Sequence, residues 1–373
     1  MTPRSLTPLL LQGHVLGRLR QLPDESVHCV VTSPPYWGLR DYGVDPQVWG
    51  GDPACPHASE WDREVVPAAN GQTTHSMIAA TLNGSSATRS PRVSETCIAC
   101  GAWRGQLGLE PTPQLFVSHV VEVFREVRRV LRKDGTCWVN LGDCYIGTAG
   151  GRLGVESKLK QKDLAGIPWR VAFGLQDDGW WLRSDCIWAK RNPMPGPLHA
   201  TGGRLRDRPV GAHEYVFLLT KSPRYFYDPE AVLEPLQESS LRRLRSHLPN
   251  PVDNPDSHSK HPVGDFRRFP MLANANPAGR TLRSVWWIAI QPYRGAHFAT
   301  FPPKLAENCI KVGSPKGGVV LDPFAGSGTT LAVARALGRR SIGIELKPEY
   351  VELAWQRCHD SLLVNPETGE VAA

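Results

Sequence analysis

The sequence predicts an α/β protein built on a largely parallel, doubly wound sheet, and three observations predict it. Residues 317–346 read as a strand (Val319-Val320-Leu321), a glycine-rich turn, a helix (329–337) and a second strand (Ser341-Ile342-Gly343-Ile344). Along the rest of the chain, short apolar runs alternate with stretches of helical periodicity. A third run, Ser26-Val27-His28-Cys29-Val30-Val31, has the continuous apolar character of a strand buried on both faces. Strands that alternate with helices are joined by crossovers, and crossovers make parallel neighbours.

In chain order, residues 8–22 read as a short helix, followed by the buried strand at 26–31. Residues 45–113 are rich in Gly, Ala, Ser, Thr and Pro with little periodicity, so they read as an insertion whose middle, roughly 65–92, is expected to be disordered. Over 113–132, Val117, Val120, Val121, Phe124, Val127, Val130 and Leu131 recur at helical spacing with Glu122, Arg125, Arg128 and Arg129 between them. Gly135 is expected to end that helix region before a strand at Thr136–Leu141. A helix near 163–178, a strand over 180–189, a Pro- and Gly-rich turn at 193–203 and a strand at His213–Leu219 follow. From 228 to 280 Pro, Asn, Ser, His and Arg dominate, and apolar residues return at 281–291.

The 373 residues suffice for one large α/β domain with insertions or two ordinary domains, and a hydrophobic fraction of 41% supports a buried core. Lys and Arg number 43 against 36 Asp and Glu, a formal charge of +7 that suits a polyanionic partner without establishing one. Without an apolar run of about 18 residues a membrane span is not expected. The N-terminus lacks a signal-peptide pattern, and a cytoplasmic protein is the simplest reading.

Nine cysteines in such a compartment point to metal ligation for any close pair. Cys55-Pro56-His57 and Cys97-Ile98-Ala99-Cys100 stand at the two ends of the insertion. Four sulfur and nitrogen donors suit a structural, tetrahedral Zn²⁺ that would staple a loop with little apolar content. The alternative is two unrelated thiol pairs in an exposed loop. Cys29, Cys137, Cys144, Cys186, Cys309 and Cys358 need no explanation beyond packing.

Asp322-Pro323-Phe324-Ala325-Gly326-Ser327-Gly328-Thr329-Thr330 lies between a predicted strand and helix, and Glu345 ends the next strand. Glycines there let backbone approach a ligand closely, and an acid at that strand end typically takes the ribose hydroxyls of an adenosine-containing cofactor. Neither a Gly-Lys-Ser/Thr nor the full dinucleotide fingerprint is present, which favours a nucleoside cofactor without a pyrophosphate. The bland alternative is a turn that merely packs a helix on a strand. Thr32-Ser33-Pro34-Pro35-Tyr36-Trp37 leaves the buried strand at the sheet's carboxyl edge, where α/β sites form. Two prolines stiffen the loop and offer carbonyls with no competing N–H, though alone Pro-Pro-Tyr is only a turn.

Together, TSPPYW and the later DPFAGSGTT resemble the beta class of DNA amino-methyltransferases, which use S-adenosylmethionine to modify N4 of cytosine or N6 of adenine. Three further segments fit in order: Leu131–Thr136, Asp185–Pro195 with its Trp-x-Lys-x-Asn-Pro-x-Pro, and His297–Pro302 before the cofactor turn. One departure is Gln12-Gly13-His14, where relatives usually carry Gly-Asp. The resemblance implies a Rossmann-like methyltransferase fold. Ser33, Pro34, Pro35 and Tyr36 are then the catalytic loop, and Asp322, Phe324, Gly326, Gly328, Thr329, Glu345, Phe301 and Pro302 the cofactor site. Ser33 Oγ and the Pro34 carbonyl would accept the N–H groups of a flipped base while Tyr36 stacks on it. Ser in the first position is more typical of N4-cytosine enzymes, with N6-adenine the alternative. Methylation of RNA or a small molecule, or a zinc-stapled DNA-binding module with a degenerate core, are the more distant readings.

The implied organisation has core segments at 1–44, 114–227 and 284–373, the zinc-stapled insertion at 45–113 and a target-recognition region at 228–283. Arg242, Arg243, Arg245, Arg267 and Arg268 in that region would meet phosphates or guanine edges, a solvated loop being the alternative for any one of them. Double-stranded DNA is the expected partner, with a separate cognate restriction endonuclease left open, no membrane, and a monomer or homodimer.

Overall fold

The structure, a computed structural model, describes residues 6–55, 61–65, 93–146, 159–193, 208–239, 242, 276, 278–291 and 301–359. The chain divides into two units, Met1–Phe226 with Ser284–Ala373, and Tyr227–Arg283. Described strands in chain order are β1 (Leu9–Gln12), β2 (Val27–Thr32), β3 (Gln47–Trp49), β4 (Trp61–Val65), β5 (Val93–Cys97), β6 (Trp103–Gly105), β7 (Leu131–Leu141), β8 (Trp181–Lys190), β9 (His213–Thr220), β10 (Val285–Ile288), β11 (Val319–Asp322) and β12 (Arg340–Glu345). The helices are α1 (Val15–Leu19), α2 (Pro113–Val130), α3 (Ile167–Asp177), α4 (Pro303–Gly313), α5 (Thr329–Ala336) and α6 (Pro348–His359).

The larger unit is organised on an eight-stranded sheet in the order β1-β12-β11-β2-β7-β9-β8-β10. β9 pairs antiparallel with both β7 and β8, while every other pairing in this sheet is parallel. The predicted doubly wound, largely parallel sheet is thus observed. Helices α1, α2 and α3 pack with one another, α4, α5 and α6 form a second group, and both groups rest on the sheet. From the neighbours β2 and β11 the chain winds outward to opposite edges, so their carboxyl ends open the crevice in which α/β proteins bind ligands.

Local sequence explains the central elements. β2 is almost wholly buried, as its unbroken apolar run requires. α2 begins where Thr112 accepts a hydrogen bond from the Leu115 N–H and Pro113 takes the first helical position. Phe116, Val120, Phe124 and Val127 of α2 are fully buried along one stripe.

Three expectations are corrected. Residues 8–22 are not one helix: Leu9–Gln12 pairs with Ile342–Glu345 as an edge strand, and Gly13, at φ +136, turns the chain into the short α1. Three successive leucines carry no helical period, and pairing with β12 settles their conformation. Gly135 does not end the preceding helix; α2 stops at Val130 and β7 starts at once, with Gly135 inside it. A Cβ on Gly135 would lie 3.0 Å from the His28 carbonyl oxygen, beside the irregularity in the β2–β7 register. The insertion, in which little periodicity is legible, contributes a four-stranded antiparallel sheet, β3-β6-β5-β4. The stretch expected to be disordered falls, from residue 66 on, outside the described residues.

In the smaller unit a 3-10 turn spans Pro229–Val232, and Glu234 receives both Arg280 (2.9 Å) and Arg283 (3.0 Å). Two arginines of the region 228–283 are therefore balanced by one carboxylate.

Candidate active site

A cavity of about 1000 Å³, counting its open mouth, lies at the carboxyl ends of β2, β11 and β12. Ser33 and Pro35 line it from the loop after β2, and Asp322, Phe324, Gly326, Thr329 and Glu345 from the turn after β11 and the end of β12. Phe301 closes it before α4, and His14 enters after β1. Pro302 precedes α4 and Gly328 caps α5; neither lines the cavity.

The turn is shaped by its glycines. Gly328 adopts φ +78, and a Cβ there would sit 2.8 Å from Ala354 on α6. Gly326, at φ +50, directs its N–H to Glu345 Oε2 at 2.9 Å, while the Lys347 N–H bonds Glu345 Oε1 at 2.9 Å. Each Glu345 oxygen keeps lone-pair capacity for a further donor, such as a ribose hydroxyl. Burial raises the Glu345 carboxyl above its ordinary value, and burial pushes Asp322 up to about 6. Asp322 Oδ1 accepts from Thr32 Oγ1 (2.7 Å) and the Phe324 N–H (3.1 Å). Arg357 donates to Ser327 Oγ (3.0 Å) and Thr329 Oγ1 (2.9 Å), pinning the turn from α6.

The site fits an adenosine-bearing cofactor on two further observations. His14 Nε2 is buried with no hydrogen-bond partner, so a polar ligand group could satisfy it. Burial, helped by Arg20, lowers the His14 pKa to about 4, so the ring is neutral and packs edge-on to Trp49 at 4.6 Å. Tyr42 and Tyr350 give the cavity aromatic wall.

The catalytic-loop residues do not all face the cavity. Pro34 is buried, and Tyr36 turns toward β9. Ser33 Oγ donates to Tyr36 Oη (3.2 Å), and Tyr36 Oη donates to Glu214 Oε2 (2.7 Å). Asn140 Nδ2 also donates to Glu214 Oε2 (3.0 Å), and Lys190 Nζ to Glu214 Oε1 (2.6 Å). Burial, then the Glu214 charge, holds the Tyr36 phenol well above its ordinary pKa, so it stays protonated. Gly142 makes room for this ring, since a Cβ there would lie 2.6 Å from it. Sequence reasoning missed Glu214, Asn140 and Lys190. An acid opening the otherwise apolar run Glu214–Leu219 was the available signal for the first.

The small antiparallel sheet reaches the same cavity. Gln47 and Trp49 of β3, with Gln106 and Leu107 after β6, line it. Gly38 donates to the Gly108 carbonyl (2.8 Å), Trp37 Nε1 to the Glu110 carbonyl (2.9 Å), and the Tyr42 N–H to Gln106 Oε1 (3.1 Å). His119 sits 3.0 Å from Glu110, and Trp49 and Trp103 both stack on its ring.

Of the predicted metal ligands, Cys55, Cys97 and Cys100 converge, while His57 lies outside the described residues. Of the predicted DNA-contacting arginines only Arg242 is described, and it is exposed; Arg243, Arg245, Arg267 and Arg268 lie outside the described residues.

The DNA methylase model of the N6/N4 methyltransferases matches residues 27–356. The chain is 36% identical to the Type II methyltransferase M.XycI of Xanthomonas campestris pv. cyanopsidis, over 93% of this chain and 86% of that protein. It is 36% identical to M.Cfr9I of Citrobacter freundii, with the same coverage, and 34% identical to M.SmaI of Serratia marcescens, over 93% and 89%. Among solved structures, the PvuII DNA methyltransferase (cytosine-N4-specific) shares the fold with a TM-score of 0.56 and 18% identity, covering 96% of this chain and 90% of that one.

Proposed function

The chain belongs to the N6/N4 DNA methylase family, and on that premise we propose that it transfers a methyl group from S-adenosylmethionine to N4 of a flipped cytosine at a specific site in duplex DNA. The observation that carries this reading is Ser33 at the mouth of β2, facing the same cavity as Gly326 and Glu345. The PvuII enzyme, whose cytosine-N4 specificity is part of its name, shares this fold.

S-adenosylmethionine supplies a methyl group on a positively charged sulfur. The protein's task is to present an exocyclic amine whose lone pair is otherwise spread into the ring. The hydrogen of Ser33 Oγ is committed to Tyr36 Oη, and that of Tyr36 Oη to Glu214. Ser33 therefore offers lone pairs rather than a proton, and with the Pro34 carbonyl it accepts the two N–H groups of the amine. Those bonds favour the tetrahedral nitrogen that forms as its lone pair attacks in line. The same relay leads to a carboxylate that can receive the proton the methylated amine sheds. The Tyr36 ring, held through its hydroxyl beside the cavity rather than in its lining, is assigned to stack on the base once it has entered. A base in the duplex cannot reach this loop, so it must leave the stack.

Arg242, Arg243, Arg245, Arg267 and Arg268 are assigned to phosphates and base edges in the target-recognition region. A restriction endonuclease of matching specificity, acting as a separate protein, is the partner this reading pairs with the enzyme. To test it, the protein is incubated with methyl-labelled S-adenosylmethionine and DNA, and the DNA is digested to nucleosides. Label in N4-methylcytosine is expected. Label in N6-methyladenine would overturn the choice of base, and no labelled nucleoside would overturn the reaction.

A further inference from the structure

The small sheet β3-β6-β5-β4 contributes Gln47 and Trp49 to one wall of the cavity. Its strands are three to five residues long, and β4 and β5 pair antiparallel from Val65↔Val93 to Trp61↔Cys97. Where the β5 ladder ends, Cys97-Ile98-Ala99-Cys100-Gly101 turns back on itself. The Gly101 N–H bonds the Cys97 carbonyl at 2.8 Å, and the Cys97 N–H bonds the Ala102 carbonyl at 2.7 Å. Gly101, at φ +72, supplies the left-handed residue that this turn demands.

A second turn faces the first. The Cys55 N–H bonds the Asp52 carbonyl at 3.0 Å, and Asp52 Oδ1 accepts the Ala54 N–H at 2.9 Å. Gly51 passes so close that a Cβ on it would lie 2.8 Å from Cys100 Sγ. The backbone N–H groups of Asp52 and Ala102 both point at the Cys100 sulfur. Two loops from opposite ends of the insertion thus deliver three thiols to one place.

The sulfur spacing identifies the chemistry. Cys55 Sγ and Cys97 Sγ are 3.7 Å apart, and the three sulfurs all lie within 4.8 Å of one another. A disulfide would put two sulfurs at about 2 Å and leave the third unpaired. Thiolates at about 2.3 Å from a tetrahedral Zn²⁺ stand about 3.8 Å apart. Soft sulfur donors discriminate against Mg²⁺ and Ca²⁺, which take oxygen ligands.

We propose that Cys55, Cys97 and Cys100 hold a structural Zn²⁺ that braces the cavity wall and, through it, the catalytic loop. Beyond the thiol cluster, β3 and β6 carry Trp49 and Trp103 onto His119. Residues just past β6 hold the end of the catalytic loop at Trp37 and the segment after it at Gly38 and Tyr42, through Glu110, Gly108 and Gln106. Fixing the two ends of the insertion keeps that ladder in register. The ion's role is structural; no reacting atom is assigned to it.

The test reads metal without DNA or activity, so it stands or falls independently of the choice of reaction. The full-length protein, purified without added metal, is analysed by elemental mass spectrometry and should carry about one Zn²⁺ per chain. Replacement by Co²⁺ should give the sulfur-to-cobalt charge-transfer band and the visible bands of a tetrahedral thiolate centre; this measurement needs no variant. Cys97→Ser with Cys100→Ser should lower the metal content at least tenfold, while Cys144→Ser should leave it unchanged. Metal-free wild type that also lacks the charge-transfer band, or a double variant that keeps its zinc, overturns the site. The bracing role is read by calorimetry of S-adenosylhomocysteine binding before and after chelation. Several-fold weaker binding is expected in the zinc-free protein, and unchanged affinity overturns that role.

Discussion

Thr32 Oγ1 donates a 2.7 Å hydrogen bond to Asp322 Oδ1, tying the last residue of β2 to the last residue of β11 across 290 positions of sequence. One strand ends in the proposed catalytic loop and the other in the proposed cofactor turn, so this bond fixes the two halves of the candidate site to each other. It also buries a carboxylate, whose pKa burial pushes up to about 6 from 3.8. The protonated form is the one that burial favours, so this group's contribution to stability is complete below 3.8 and is lost as pH rises through about 6. Asp322→Asn keeps an Oδ1 acceptor without the charge. In cofactor-free protein the melting temperature of this variant relative to wild type should climb between pH 4 and 6 and level off above 7. A difference that stays flat across that range would contradict the assignment.

Ser33→Ala should lower kcat on the order of a hundredfold, the scale of losing one hydrogen bond that strengthens in the transition state. S-adenosylmethionine affinity should be unaltered, because the cofactor turn and Glu345 are untouched. Full turnover in this variant would remove Ser33 from the chemistry.

Tyr36→Phe keeps the ring but breaks the relay from Ser33 to Glu214. A fall in kcat on the order of tenfold is expected, with KM for DNA little changed, as for a loss felt in the transition state. Glu214→Ala acts differently, because it strands Lys190 and Asn140, which share that carboxylate. Loss of a partly buried, charge-assisted network should cost about 1–3 kcal/mol in denaturant titration. If that variant kept wild-type stability, the network would be incidental.

Glu345→Ala removes the carboxylate that accepts the Gly326 and Lys347 backbone N–H groups, and with it the proposed ribose contact. Calorimetry should show cofactor affinity falling about ten- to a hundredfold, the range for hydrogen bonds to a charged group. An unchanged Kd would place the adenosine elsewhere.

Much of the fold was legible because its signals are local. The run from Val319 to Glu345 carries strand, turn and helix in consecutive residues, and β2 is an unbroken apolar segment. What escaped depends on distant partners. Leu9–Gln12 becomes a strand only because β12, more than three hundred positions later, offers its edge. The strands of the insertion are too short to show a period, and β3 and β4 find their partners dozens of positions away. Glu214 meets Tyr36 because β9 runs against its neighbours beside β7, a reversal that no local pattern announces. The loop after β2 and the glycine turn were readable as strand-end segments, whereas the carboxylate behind Tyr36 required the sheet to be assembled.

The register of β4 against β5 has a practical corollary. Val65 pairs with Val93 at the end of that ladder farthest from Cys97. Of the small sheet's described residues, Gln47 and Trp49 line the cavity from β3, the strand at the opposite edge from β4. The Val65–Val93 end of the β4–β5 ladder is therefore a natural graft point. A short Asn-Gly turn joining the two valines, or a fluorescent or affinity module placed there, would change what the protein carries without touching how it holds its substrates.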